Sequence, residues 1–191
     1  MAGDSAAAGV GAPHQEQALA GQLVQQLSQS HRTHWTLEAR TGATTGTTLR
    51  RMSRLGDVTF DYVITSLGVN DVLAGLSLRA WRDSQRRLRE LLRESFGGPR
   101  LIVCGLPPVS GFPALPQPLR WYLGRRSKEF DRVLAQDLES EPDATYLPLD
   151  FAMDVSLMAD DGFHPGPEIY RQWARQVAAV IRGSVASSSS S

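Results

Sequence analysis

Apolar residues recur along this chain with the three- to four-residue spacing of helices in four separate segments. A helix that buries one face repeats apolar side chains at this spacing, whereas a half-buried strand alternates them. The last segment also carries a proline in its first turn and Gly183 just beyond its end, as helix boundaries prefer. The predicted helices cover His14 to Ser30, Ser77 to Phe96, Leu119 to Leu138 and Pro167 to Ile181.

Between and before these helices lie short runs that are typical of strands. The predicted strands are His34 to Ala39, Asp61 to Leu67, Arg100 to Gly105 and Ala144 to Leu149. The second and third are mainly apolar, as in strands buried on both faces of a sheet. Strands that alternate with helices predict an α/β fold, in which helices cover both faces of a parallel sheet.

Length and composition predict one domain with a short tail. The chain has 191 residues, of which 41% are hydrophobic, and residues 1–183 contain every predicted element. The last residues are mostly serine and have no apolar side chains to bury, so a disordered Ser-rich tail is predicted over residues 184–191.

Charge limits the classes of partner that the chain favours, and cysteine content limits its disulfides. Lysine and arginine together number 20 and so do aspartate and glutamate, so the net charge favours neither nucleic acid nor an anionic membrane surface. Cys104 is the only cysteine; it excludes an intramolecular disulfide and lies in an apolar run that predicts a buried thiol.

No segment has the roughly 20 apolar residues of a membrane span, so stable membrane insertion is not expected. A cytoplasmic location is favoured because no signal peptide is recognised, and a lost upstream signal would instead make the protein periplasmic or secreted.

Four short polar segments carry the candidate chemistry. Asn70 directly follows a predicted strand, so its amide is expected in the crevice at the carboxyl end of the sheet, where it can donate to an oxyanion. Gly42 follows another strand, and its missing Cβ lets a backbone N–H approach a substrate oxygen. The segments are Gly3-Asp4-Ser5, Gly42, Gly68-Val69-Asn70-Asp71 and Asp161-Gly162-Phe163-His164.

Asp161 and His164 are spaced so that, in a turn, the carboxylate can bind one ring nitrogen while the other takes a proton from Ser5. This is the arrangement of a Ser-His-Asp triad. Each segment also has a plainer interpretation. Gly-Asp-Ser is often a turn, Gly-x-Asn-Asp a helix-capping loop, and Asp161 an N-terminal cap for the last helix. Asp4 and Asp71 are expected to anchor their loops by hydrogen bonds.

Three other histidines have no carboxylate at a useful spacing and are expected to be solvated. They are His14, His31 and His34.

Taken together, the four segments resemble the SGNH hydrolases, the GDSL-type esterase and lipase superfamily. The letters of the name correspond here to Ser5, Gly42, Asn70 and His164, and the resemblance runs from residue 3 to about residue 183. It implies a flavodoxin-like three-layer α/β/α sandwich, no metal or cofactor, and hydrolysis of a small-molecule ester through an acyl-enzyme. By the same resemblance Ser5 is the nucleophile, His164 the base and Asp161 its orienting partner. The oxyanion hole is formed by Ser5 N–H, Gly42 N–H and the Asn70 side chain.

The chain departs from this family pattern at its start. Family members run a buried central strand into the Gly-Asp-Ser block, whereas only Met1 and Ala2 precede it here, and strands usually need about five residues. The sequence therefore predicts an N-terminally shortened domain whose sheet lacks its first, central strand. A catalytically impaired flavodoxin-like module is one alternative on this ground, and an acyltransferase with the same triad is another.

The expected substrates are esters of small or medium acyl groups, with thioesters and lysophospholipids close behind and sugar deacetylation within the same family. A proline-rich loop follows the strand Arg100 to Gly105 and either forms an acyl pocket or is a structural connection. Trp121 and Tyr122 either extend that pocket or belong to the core. The loop residues in question are Pro107, Pro108, Phe112, Pro113, Leu115, Pro116 and Pro118.

Overall fold

A five-stranded parallel sheet forms the centre of the protein. The computed structural model describes residues 1–56, 58–150 and 154–188. The strands lie in the order β2-β1-β3-β4-β5, and the predicted α/β class is confirmed. The strands are β1 (Ala2–Gly3), β2 (Glu38–Ala39), β3 (Tyr62–Ser66), β4 (Arg100–Cys104) and β5 (Ala144–Leu147).

The prediction that the sheet lacks its central strand is wrong. Ala2 and Gly3 pair in parallel with β2 on one side and β3 on the other, and both residues are buried. The Arg40 N–H donates to the Gly3 carbonyl at 3.2 Å, and the Asp4 N–H donates to the Ser66 carbonyl at 3.2 Å. Two residues suffice because ladder partners on both sides satisfy their backbone groups. The argument for an impaired module therefore loses its basis.

The helices differ from prediction mainly where they are short. The structure has three short helices that the sequence did not predict (α1, α3 and α4), because four to eight residues are too few to display a helical apolar repeat. The helices are α1 (Ser5–Ala8), α2 (Leu19–Leu27), α3 (Thr45–Met52), α4 (Val69–Leu73), α5 (Leu78–Ser95), α6 (Leu119–Leu138) and α7 (Pro167–Ser188).

Three predicted boundaries need correction. A 3-10 turn at Gln15–Gln17 precedes α2, so the first predicted helix is shorter than expected. Strand β2 keeps only the last two residues of its predicted span. Helix α7 continues to Ser188, so residues 184–188 are helical where a disordered tail was predicted. The rest of that predicted tail lies outside the described residues.

Helices cover both faces of the sheet and bury a core on each. On β3 and β4 successive side chains face opposite layers, as the two-residue period of a strand requires. Val63, Leu101 and Val103 face the layer of α3, α5 and α6. Ile64, Ile102 and Cys104 face the layer of α2 and α7. This is a three-layer α/β/α sandwich, and the loops at the carboxyl ends of its strands lie along one edge.

Close packing around β1 generates a stability prediction for Gly3. A Cβ added to Gly3 would lie 2.4 Å from the Ala7 Cβ and 2.8 Å from the Ser66 carbonyl oxygen, which is a backbone atom. We expect Gly3→Ala to lower the free energy of unfolding by about 1 to 3 kcal/mol, as overpacked sites do. Urea denaturation followed by circular dichroism measures the change.

The matched control is Gly46→Ala, in helix α3. An added Cβ there meets no atom within 4 Å. Alanine has a higher helix propensity than glycine, so we expect stability to stay equal or to rise by up to about 1 kcal/mol. Equal stability of the two variants would contradict the close approach of β1 to its neighbours.

Candidate active site

Ser5 is placed by the turn between β1 and α1. Asp4 is the N-cap of α1, and its Oδ1 accepts a hydrogen bond from the Ala6 N–H at 3.0 Å. Asp4 and Ser5 are only 5% and 7% exposed. Desolvation raises the pKa of the Asp4 carboxyl to about 6. Asp4 thus holds the turn, as expected from its position, and leaves the Ser5 hydroxyl at the edge of the sheet.

A continuous line of hydrogen bonds joins Ser5, His164 and Asp161. The Ser5 Oγ lies 2.9 Å from the His164 Nε2, and the His164 Nδ1 lies 2.6 Å from the Asp161 Oδ2. The other carboxylate oxygen of Asp161 accepts the backbone N–H groups of Phe163 and His164, both at 2.9 Å. One carboxylate therefore fixes both the turn and the ring.

Asp161 remains ionised, which decides the direction of these bonds. Desolvation disfavours the charged form of Asp161 and by itself would raise its pKa. Hydrogen bonds from the backbone and ring of His164 and from the Phe163 N–H have the larger, opposite effect and hold the pKa of this carboxyl at about 2. An ionised carboxylate only accepts, so the proton sits on the His164 Nδ1 and the Nε2 is left to accept from the Ser5 hydroxyl.

Aromatic side chains pack against the imidazole ring of His164 and support its orientation. The Phe163 ring packs edge-to-face on the His164 ring and on the Phe112 ring, with centroids 5.1 Å apart in each pair. The Ala114 N–H donates to the Gly162 carbonyl at 3.1 Å, which ties the proline-rich loop to the histidine turn. Gly162 has a φ of 63°, and an added Cβ would come within 3.2 Å of Ala114 N. The turn therefore favours glycine at this position.

Asn70 lies in the first turn of α4 and borders the same site. Its Nδ2 donates to the Ala43 carbonyl at 3.0 Å, which leaves the second amide hydrogen free to serve another acceptor. Gly42 precedes Ala43 and has a φ of 76°. It is exposed and is not among the residues that line the pocket described below. The structure thus places Gly42 beside Asn70 through Ala43 and not in the pocket wall.

A buried polar cluster fixes the two loops that carry Gly42 and Asn70. Asp71 is fully buried and accepts the Thr45 N–H and the Thr45 hydroxyl, each at 3.0 Å. Gln85 donates from Nε2 to the same hydroxyl at 3.0 Å. Desolvation raises the pKa of the Asp71 carboxyl. The expected anchoring role of Asp71 is therefore seen in its contacts, whereas Thr45 and Gln85 were missed.

The sequence contained one signal for Gln85. This glutamine occupies the buried stripe of α5 defined by Trp81, Leu88 and Leu92, where an apolar residue is the norm. A polar residue in such a stripe indicates a buried hydrogen bond.

A mainly apolar pocket opens beside Ser5. Ser5, Asn70 and His164 are among its lining residues, together with Asp4, Ser66 and apolar residues from both helical layers. Of the proline-rich loop, Pro107 and Phe112 contribute, so the loop serves in part as a pocket wall. The main apolar lining residues are Leu67, Val69, Pro107, Phe112, Leu149, Met158, Phe163, Ile169 and Trp173.

Trp121 and Tyr122 do not line this pocket. They are 57% and 52% exposed, so both alternatives considered for them, pocket extension and core, are wrong. Leu119, the first residue of the same helix, is also 45% exposed.

The three other histidines and the cysteine do not line the pocket. His14, His31 and His34 are exposed, as expected. Cys104 is buried, accepts a hydrogen bond from the Trp173 Nε1 at 3.3 Å, and has a pKa raised by burial to about 12, so it is a protonated thiol.

Within the described ranges, no group of three or more His, Cys, Asp or Glu side chains is arranged to hold a metal ion. In the same ranges no helix has the length and apolarity to cross a membrane.

Three solved structures illustrate the similarity of the fold. The psychrotrophic esterase EstA from Pseudoalteromonas sp., inhibited by monoethylphosphonate, aligns with a TM-score of 0.74, 17% identity and 96% coverage of both chains. The lipase Lip_vut3 from goat rumen metagenome aligns with a TM-score of 0.71, 18% identity and 93% coverage of both chains. A carbohydrate acetylesterase family member from Sinorhizobium meliloti aligns with a TM-score of 0.65, 22% identity and 94% coverage of both.

Sequence comparison establishes the family. A search of curated protein sequences found no match. The model of the GDSL-like lipase/acylhydrolase family, however, matches residues 1–172, which is most of the chain and includes every segment of the site. The protein therefore belongs to the GDSL-like lipase/acylhydrolase family and is a hydrolase of ester bonds.

Proposed function

We propose that this protein is a serine esterase that cleaves carboxylic esters of small or medium acyl groups through an acyl-enzyme on Ser5. The observation that carries the proposal is the line of hydrogen bonds from Asp161 through His164 to Ser5, which lines a mainly apolar pocket. A hydroxyl becomes a useful nucleophile when a neighbouring base can take its proton, and this line supplies the base in the required tautomer.

Acylation begins with attack of the Ser5 Oγ on the ester carbonyl carbon. As the new C–O bond forms, the hydroxyl proton passes to the His164 Nε2, 2.9 Å away, and the carbonyl π electrons move to the carbonyl oxygen. The imidazolium is stabilised by the ionised Asp161. Collapse of the tetrahedral intermediate breaks the bond to the alcohol, which leaves with the proton from Nε2.

The oxyanion of that intermediate needs hydrogen-bond donors. We assign this role to the Ser5 N–H, the Gly42 N–H and the Asn70 amide. The assignment is supported by Asn70 in the pocket lining and by its hydrogen bond to the Ala43 carbonyl, next to Gly42. Because the Asp71–Thr45–Gln85 cluster is buried, the loops that carry Gly42 and Asn70 are held in place before the substrate arrives.

Deacylation repeats the chemistry with water as the nucleophile. His164 takes a proton from water as the hydroxide oxygen attacks the acyl carbon, and the Ser5 Oγ leaves with a proton from the imidazolium. The carboxylic acid is released and the enzyme is restored. Use of water in this step distinguishes the hydrolase from an acyltransferase with the same triad, in which an acceptor alcohol would take the acyl group.

The pocket supports the choice of acyl group. Most of its lining is apolar and comes from both core layers, so an acyl chain can replace water along those surfaces. The structural neighbours include an esterase, a lipase and a carbohydrate acetylesterase, so they do not select one substrate. The apolar lining favours a short or medium aliphatic chain.

The central test removes the proposed nucleophile or base. We expect Ser5→Ala and His164→Ala each to lower kcat on p-nitrophenyl butyrate by roughly 10⁴-fold or more, because the two residues act as one unit. Labelling by a fluorophosphonate probe is expected to disappear in Ser5→Ala.

A surface Ser-His contact offers a matched control for that test. The Ser30 Oγ lies 2.8 Å from the His31 Nδ1, and both residues are exposed. Ser30→Ala and His31→Ala should leave hydrolysis and labelling unchanged. A His164→Ala enzyme at full rate would disprove the triad assignment.

The oxyanion assignment predicts a specific kinetic change for Asn70→Ala. Loss of a donor used only in the transition state is expected to lower kcat about 100- to 1000-fold while KM stays nearly constant. Steady-state kinetics on the same ester measure both. A raised KM with unchanged kcat would instead assign Asn70 to ground-state binding, and a matching loss of thermal stability would assign it to holding Ala43.

The pH dependence of kcat/KM tests which group acts as the base. We expect activity to rise from acidic to neutral pH, because protonated His164 cannot accept the Ser5 proton. Asp161, with a pKa of about 2, stays ionised over this range. Asp4, with a pKa of about 6, also titrates within it.

Asp4→Asn tests whether the charge on Asp4 causes this rise. Asparagine retains a side-chain oxygen that can accept from the Ala6 N–H, while removing the charge. The rise with pH should persist in this variant. If the rise vanished there, ionisation of Asp4 would be the event that controls the rate.

A further inference from the structure

An exposed apolar surface lies next to the site on the proline-rich loop and the start of α6. Trp121 and Tyr122 are more than half exposed. Large aromatic side chains are normally buried, and a contiguous apolar surface usually marks an interaction site. We call this surface the aromatic patch; its exposed members are Pro113, Ala114, Pro116, Pro118, Leu119, Trp121 and Tyr122.

Positive charge accompanies the aromatic patch. The chain has no acidic residue between Glu94 and Glu129, whereas Arg120, Arg125, Arg126 and Lys128 fall within or just after the patch. This excess lies at the α6 end of the patch, because the loop end is hydrogen-bonded to Gly162, beside the exposed carboxylates of Asp160 and Asp161.

Two of these arginines lie over the exposed rings. The Arg125 guanidinium carbon is 5.2 Å from the centroid of the Trp121 ring, and that of Arg126 is 5.8 Å from the Tyr122 ring. Arg126 also donates to the Leu76 carbonyl. Cation–π contact keeps cation and ring together at the surface. The patch therefore presents apolar and cationic groups to the same partner.

The aromatic patch lies beside the pocket. Ala114 donates to Gly162, two residues before His164, and Phe112 of the same loop lines the pocket. On the other side α6 contacts α4, the helix that carries Asn70. A partner that covers the patch therefore lies beside the pocket that contains Ser5.

We propose that the aromatic patch docks the enzyme on an anionic lipid surface, so that ester substrates reach Ser5 from that surface. Tryptophan and tyrosine favour the boundary between headgroups and acyl chains, and arginines beside them attract anionic headgroups. The positive charge of the patch favours an anionic bilayer as the partner. A second copy of this chain would present the same positive patch, so the two copies would repel each other. Docking itself is independent of the proposed esterase function; delivery of substrate to Ser5 rests on that function.

Vesicle binding tests the docking. The full chain is mixed with vesicles of diether phosphatidylcholine, with or without diether phosphatidylglycerol, and bound protein is measured by flotation. Ether lipids contain no carboxylic ester, so binding is measured without hydrolysis. We expect binding to the vesicles that contain phosphatidylglycerol, weakened by added salt. Failure to bind them would overturn the proposal.

Surface variants locate the binding. The Trp121→Ser/Tyr122→Ser double variant should lower the partition coefficient at least about tenfold through the lost apolar contact. Arg120→Gln/Arg125→Gln should lower it about fivefold for each charge removed, and only on anionic vesicles. Unchanged binding in the aromatic double variant would overturn the proposal.

Trp35→Ser is the matched control, because Trp35 is 49% exposed and precedes the amino end of β2, at the edge of the sheet opposite the site. Binding should not change in this variant. A loss of binding equal to that of the aromatic double variant would show unspecific adhesion and overturn the proposal.

Light scattering adds a second check. A dimer that becomes monomeric in the aromatic double variant would assign the patch to contact between copies and overturn the proposal. Hydrolysis of soluble p-nitrophenyl butyrate should be equal in all these variants, which keeps a failure of docking distinct from a failure of the esterase function.

Discussion

Backbone hydrogen bonds on both sides of Ala2 and Gly3 hold the start of the chain in the middle of the sheet, and the geometry of the site depends on them. Strands β2 and β3 supply the partners of these two residues, and the turn capped by Asp4 follows at once. A strand of two residues buries little side-chain surface. Its place is set by ladder partners and by the close approach that glycine allows at residue 3.

The rest of the site is assembled by loops that are tied to one another. Asp161 orders the histidine turn, Phe163 joins it to the proline-rich loop through Phe112, and the Asp71–Thr45 contact joins α4 to α3. The Asp71–Thr45 bonds are buried, the Asp161 bonds are exposed, and the Phe163–Phe112 contact is aromatic, so contacts between loops as well as sequence spacing hold these groups. Such preorganisation is what electrostatic stabilisation of a transition state requires.

The long amphipathic elements could be predicted because their periodicity is a local property of the sequence. Ile169, Trp173, Val177 and Ile181 are all buried, and β3 and β4 lie within their predicted runs. Short elements could not: β1, α1, α3 and α4 contain too few residues for a period, and tertiary partners decide their conformation. Leu119 and Tyr122 follow the helical apolar pattern of α6 and are nevertheless exposed, since periodicity says which residues share a face but not whether a neighbour covers it.

The sequence by itself determined the class of the fold and the set of residues from which a serine hydrolase site can be built. The periods of strands and helices and the chemical types of the side chains can both be read directly from the order of residues. Only the tertiary structure decided that Ser5, His164 and Asp161 meet within hydrogen-bond distance, that Gly42 lies outside the pocket wall, and that Gln85 supports the Asp71 cluster. The physical reason is that these are contacts between residues as much as 159 positions apart in the chain, made where separate strands end at one edge of the sheet.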